Sequence, residues 1–321
     1  MKRFKSVAAA FMIAAASVAA HAQTFPTKPI WMVTPFTSGG ATGLLARSLG
    51  DRFTAAWGQP VLVDGRPSAG GIVATQVVAN APPDGYSILI ATANLSIAPF
   101  LYKTLPYDTD TALTPIIEIV TVPNVIVARA TLPVNTLSDL IALAKAQPGK
   151  LNYATPGVGS FPHLVAEMFK HDAGISLTHI PYKGTPAALV ALLGGEVDML
   201  SSNLSDVLSQ IRAGKIKALA VTGKERFAAL PDVPTVAEAG VPGFSAVGWM
   251  GLFAPRNTPA AVIDKLNHEA NAALADPKMK GWLREQGFET VGGSAAQFAE
   301  FLKTDRQRWG EVVKYSGATA E

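Results

Sequence analysis

Short apolar runs and helix-periodic stretches take turns along most of this chain. The runs at 30–33, 61–63, 87–91, 125–128, 151–154, 178–182, 197–200, 217–221 and 249–254 read as strands. Helical spacing of apolar positions follows many of them, at 41–57, 71–79, 137–147, 161–172, 186–193 and 204–213. After Pro255 the pattern changes, and helices are predicted at 259–275, 277–286 and 295–315. Such alternation predicts α/β units with mainly parallel sheets, their strands apolar on both faces because helices cover them. No internal repeat and no low-complexity linker marks a single boundary. The chain is therefore expected to cross twice between two domains, at 119–124 and 243–248. One domain would hold 23–121 plus 247–321, the other 122–246, with a ligand cleft between them.

Two turns carry the candidate chemistry. Pro35-Phe36-Thr37-Ser38-Gly39-Gly40-Ala41 links the first strand to the first helix. A helix start leaves backbone N–H groups without intrahelical partners and is the positive end of the helix dipole. Adjacent glycines let a ligand approach the backbone, so this turn suits an anion. A plain capping role for Thr37 or Ser38 explains the same residues equally well. The second turn, Thr155-Pro156-Gly157-Val158-Gly159-Ser160, again runs from strand to helix, with Pro162 in the first helical turn, where its missing N–H costs little. One such turn per domain could hold opposite ends of an acidic ligand. Ser160 too has a capping alternative.

The first residues alter the charge argument. A basic start (Lys2, Arg3, Lys5), an apolar stretch and Ala20-His21-Ala22 form the pattern of a cleaved signal peptide over 1–22, with Gln23 as the first mature residue. The apolar stretch is short for a membrane span. The whole chain has 27 Lys and Arg against 24 Asp and Glu, and the three leader bases account for the excess. No global field then favours nucleic acid. There is no cysteine, which excludes disulfides, zinc-thiolate sites and cysteine nucleophiles.

Catalytic readings find little support. Ser160 and His163 lie three apart on a helix start, but no serine sits in the G-x-S-x-G elbow of a hydrolase. His163, His171 and His179 are spaced by eight, which matches no metal-binding pattern, so no metal is expected. Gly157-x-Gly159 lacks the rest of a dinucleotide or phosphate-loop signature, and no cofactor is expected.

Several motifs in order resemble the substrate-binding proteins of tripartite tricarboxylate transporters, the Bug family. They are Pro26-x-Lys28-Pro29-Ile30, the 35–47 turn, Val63 to Gly71, Pro83-Asp84-Gly85-Tyr86, Leu105-Pro106-Tyr107-Asp108 and Thr155 to His163. His179 to Gly184, Asp232 to Gly240, Trp249, Ala254-Pro255 and Thr258-Pro259 complete the set. The resemblance spans essentially the whole mature chain. It implies a two-domain periplasmic binding protein fold of type II-like form that closes on a ligand, with no catalytic role. It implies a carboxylate ligand, a di- or tricarboxylate or an aromatic acid, passed to a membrane permease of one large and one small subunit. By the same resemblance the contacts fall at Phe36, Thr37, Ser38, Gly39, Gly40, Ala41, Thr155, Gly157, Gly159, Ser160 and His163. Lys183 and Trp249 are left open as further contacts. The chain departs from the family at Gly43, where members usually carry an Asp associated with amino-bearing ligands. That points away from amino acids. The expected protein is periplasmic and monomeric and binds no nucleic acid. An exported serine hydrolase using Ser160 and His163, and a ligand sensor serving a signalling partner, are the competing readings.

Overall fold

The structure, a computed structural model, describes residues 25–36 and 41–320. The export signal, the Gln23 start, and Thr37, Ser38, Gly39 and Gly40 all lie outside the described residues. In chain order the elements are β1 (Ile30–Thr34), α1 (Ala41–Trp57), β2 (Val61–Gly65), α2 (Ile72–Ala79), β3 (Ser87–Thr92), α3 (Asn94–Leu101) and β4 (Leu113–Arg129). Then come α4 (Leu137–Ala146), β5 (Asn152–Thr155), α5 (Phe161–Ala173), β6 (Thr178–Pro181), α6 (Thr185–Gly194), β7 (Met199–Asn203), α7 (Leu204–Arg212) and β8 (Ile216–Val221). The last are β9 (Val247–Pro255), α8 (Ala260–Ala275), α9 (Pro277–Glu285), β10 (Glu289–Thr290) and α10 (Ala295–Ser316).

Strand β4 is the spine. Up to Pro123 it pairs with β9, and from Asn124 onward it pairs with β7 on one edge and β8 on the other. Beyond β9 lie β3, β1 and β2; beyond β7 lie β5 and β6. Each outer group of three is parallel inside itself. The pairs made by β4 and β9 are all antiparallel, including those with β10 and β3. The expectation of mainly parallel sheets is therefore corrected to a mixed sheet. The physical reason is that β4 and β9 carry the chain between the two parallel groups, and a connecting strand runs against its neighbours.

Alternating side chains explain why both faces are apolar. Ile30 and Met32 of β1, with Ile88 and Ile90 of β3, pack on Leu45, Leu49 and Phe53 of α1 and on Leu266 of α8. Their neighbours Val33, Leu89 and Ala91 face the other way, into a cluster that also holds Trp249, Phe298 and Trp309. This second cluster does not stop at the first parallel group: it runs on to Phe161, Leu164 and Tyr153. Helix α10 makes the join, Trp309 meeting Phe161 edge-on at 5.3 Å between ring centroids. A third cluster, with Val125, Leu200, Leu204 and Ala188, covers the far face of the second group. Each large apolar side chain buried this way contributes about 1.5–3 kcal/mol.

Local signals set the helix ends. Thr136 with Asp139, and Ser294 with Gln297, form capping boxes at α4 and α10. Helix α5 starts on a Ser160 cap and stops at Gly174 in the left-handed conformation. Among the described residues no helix is long and apolar enough to cross a membrane.

Candidate functional site

Parallel strands all point their carboxyl ends one way, and open α/β sheets bind ligands just beyond those ends. Here the two parallel groups aim at one another. A cavity of about 430 Å³ opens where they meet. Its wall takes residues that directly follow each strand: Phe36 after β1, Ser68 after β2, Ala93 and Asn94 after β3, residues 156–160 after β5, Gly184 and Thr185 after β6, and Ser205 and Asp206 after β7. Helix starts accompany them. Thr42 of α1, Asn94 of α3, Phe161 of α5, Thr185 of α6 and Ser205 of α7 all line the space. The positive ends of several helices thus face the cavity, while the N–H groups of Gly157, Gly159 and Ser160 are bonded to Thr155 Oγ1, His163 Nδ1 and the Gly157 carbonyl. Among the described residues no Lys, Arg or His lines it, and Asp206 is its only carboxylate. An anion here meets dipoles rather than a counter-ion.

The 157–160 turn is held from behind. Gly159 has φ +72°, a conformation that disfavours any side chain, and its N–H donates to His163 Nδ1 at 3.1 Å. Ser160 Oγ donates to the Gly157 carbonyl at 2.7 Å and accepts the His163 N–H at 3.4 Å. The capping reading of Ser160 is what the structure contains. Thr155 Oγ1 hydrogen-bonds His179 Nε2 at 2.6 Å, and the rings of His163 and His179 stack at 4.1 Å. Burial pushes both imidazoles down to about 4, opposed by the Glu167 carboxylate. A neutral His163 is what the turn requires, because only then can Nδ1 accept the Gly159 N–H. Burial works against the charge of Glu167, but Lys170 at 2.7 Å and the Tyr153 hydroxyl hold its carboxyl below the usual range.

The residues singled out from sequence therefore separate by position. Phe36, Gly157, Gly159 and Ser160 line the cavity. Thr155 and His163 are buried behind the turn and support it. Ala41 opens α1, and Gly43 is buried in that first turn beside Thr42. Trp249 is on the wall and Lys183 is not. The Trp249 indole is fixed from outside the cavity: its Nε1 donates to Asp305 at 2.8 Å, and Trp309 Nε1 donates to the other carboxylate oxygen at 2.9 Å. Sequence reasoning missed α3, which supplies Asn94, Ile97, Ala98 and Leu101, and missed Thr185 and Asp206. A signal existed: each missed stretch begins within a few residues of a strand's end.

A hydrolase needs the serine oxygen beside the histidine ring. Ser160 Oγ instead bonds backbone groups, and His163 Nδ1 is taken by the Gly159 N–H. Among the described residues no group of three His, Asp or Glu could hold a metal ion.

The model of the tripartite tricarboxylate transporter family receptor, TctC, matches residues 45–318. The chain belongs to the TctC family. BugT of Bordetella pertussis is 37% identical over 322 residues, covering 99% of this chain and 98% of that protein. R. palustris Rpa4515 with adipate matches with a TM-score of 0.84 at 38% identity, over 92% of this chain and 99% of the other. MatC (Rpa3494) from Rhodopseudomonas palustris with bound malate gives 0.79 at 31% identity, over 90% and 100%. The TctC fold is the two-domain α/β fold of periplasmic binding proteins, and here its cleft is the cavity between the two parallel groups. TctC members are receptors rather than enzymes.

Proposed function

We propose that this chain is a periplasmic receptor that captures a small carboxylate between two domains and delivers it to a permease of one large and one small subunit. The observation that carries the reading is the convergence of strand ends and helix starts from both parallel groups on one cavity that, among the described residues, has no basic side chain. Relatives solved with adipate and with malate support the ligand class. In this reading the domains are 23–121 with 247–321, and 122–246. The carboxylate is held by Phe36, Thr37, Ser38, Gly39, Gly40 and Ala41 from one side and by Gly157, Gly159 and Ser160 from the other. Thr155 and His163 set the second turn. The receptor works as a monomer after loss of residues 1–22.

Gly43 refines the ligand. With no acid in that turn, an ammonium beside the bound carboxylate would be desolvated without a partner, which is costly. The ligand is a di- or tricarboxylate or an aromatic acid without an α-ammonium group. Calorimetry and thermal shift against succinate, citrate, terephthalate, aspartate and glutamate test this, since a ligand of the native state raises the melting temperature. Binding of one or more of the first three, with silence from the two amino acids, is the expected result. Tight binding of aspartate or glutamate alone would refute the refinement.

Ser160→Ala removes the cap of α5 and the tie to Gly157. The expected cost is about 1 kcal/mol in stability, with a similar loss in affinity through a looser turn. Urea unfolding and calorimetry on the same protein read both. An unchanged midpoint would show that the cap contributes nothing.

A further inference from the structure

The proposed reading accounts for one carboxylate and leaves the rest of the cavity wall unexplained. One charged acceptor stands on that wall. Asp206, in the first turn of α7, accepts a hydrogen bond from Thr185 Oγ1 at 3.1 Å, and both residues line the cavity. Among the described residues no lining Lys or Arg offsets the Asp206 charge. Burial already pushes the Asp206 carboxyl above its ordinary value, against the hydrogen bond from Thr185; a second ligand carboxylate beside it would add like charge, whereas a ligand donor would stabilise its charged form. Much of the remaining wall is apolar, including Leu101, Val158 and Trp249.

We infer that Asp206 selects the ligand: the cognate acid has one carboxylate, an apolar body, and a hydrogen-bond donor, hydroxyl or amino, away from that carboxylate. This rests on the carboxylate-receptor reading above and narrows its ligand class to monocarboxylates, so that succinate, citrate and terephthalate bind only as weaker analogues of the cognate acid. It is compatible with Gly43, because the donor is not on the carbon next to the carboxylate.

The test is calorimetry on the mature protein and on Asp206→Asn. The probes are adipate, 6-hydroxyhexanoate and 6-aminohexanoate, with terephthalate, 4-hydroxybenzoate and 4-(aminomethyl)benzoate as the aromatic set. In the unmodified protein the donor-bearing acid of at least one set should bind at least about fivefold tighter than its dicarboxylate, the scale of a partly exposed charge contact. Asp206→Asn should narrow that gap, weakening the amino acid of the set and strengthening the dicarboxylate. A dicarboxylate that binds tightest and is indifferent to Asp206→Asn overturns the inference while keeping the carboxylate receptor. Silence toward every acid in both sets overturns the receptor reading itself. Should the variant fail to fold, the ranking in the unmodified protein decides alone.

Discussion

Gly159→Val is expected to lower carboxylate affinity on the order of a hundredfold while leaving the protein folded. The native φ of +72° places this residue where a β-branched side chain is strained by about 1–3 kcal/mol. A Cβ there would also stand 2.5 Å from Leu101 Cδ1, which belongs to α3 on the opposite side of the cavity. The strain is relieved by turning the peptide, and that withdraws the N–H from His163 Nδ1 and disorganises the 157–160 turn. The Leu101 contact acts in the same direction, since the new side chain fills space between the two sides. Calorimetry with whichever acid binds the unmodified protein, beside a melting curve, separates loss of the grip from loss of the fold. Native affinity in the folded variant would remove this turn from the ligand contacts.

Glu118→Gln is expected to stabilise the protein by on the order of 3 kcal/mol at pH 8 and by almost nothing near pH 4. Glu118 lies in β4 and is only 8% exposed. Burial, reinforced by the Asp305 carboxylate, raises its pKa to about 7. The unfolded chain holds the same group at its ordinary value near 4.5. Folding therefore takes up a proton between those values. The Glu118 contribution is fully favourable below about 4.5 and is lost as pH rises through about 7. Gln keeps the shape and cannot ionise, so the difference between variant and parent should grow over that interval. Chemical unfolding of both proteins at several pH values measures it. Parallel stability curves would mean that Glu118 is not held in a proton-binding environment.

Much of the fold is legible from periodicity because helices cover both faces of strands such as β1 and β3, leaving clean apolar runs. Helix α5 was readable for a different reason: Ser160, Pro162 and Gly174 punctuate it chemically. The first half of β4 was missed because Pro115, Glu118 and Pro123 break its apolar pattern, although the strand continues through all three. Helix α3 was missed because Pro99 lies inside its single short run and six of its eight residues are apolar: only Asn94 and Ser96 are polar, and Ser96 is buried, so the run gives no amphipathic contrast. At the site, the glycine turn at 157–160 was visible because it needs special backbone, whereas Asp206 and Thr185 were not. Nothing local distinguishes them from surface helix residues; their place follows from strand direction, which is a property of the sheet. The His163–His179 pair was hidden likewise, since a spacing of sixteen residues gives no hint that the first turn of α5 and strand β6 bring the rings into a stack.

Strand β4 belongs to both halves of the sheet, and one core cluster runs beneath the junction into both. Neither half can complete its ladder without it. A chain cut at Asn124 would expose unpaired strand edges on each fragment, the kind of surface that seeks other chains. The two halves should therefore melt in one cooperative step rather than in sequence. Evolution of such a receptor is constrained accordingly: the cleft walls can vary loop by loop, but the halves cannot be exchanged between relatives as separable modules.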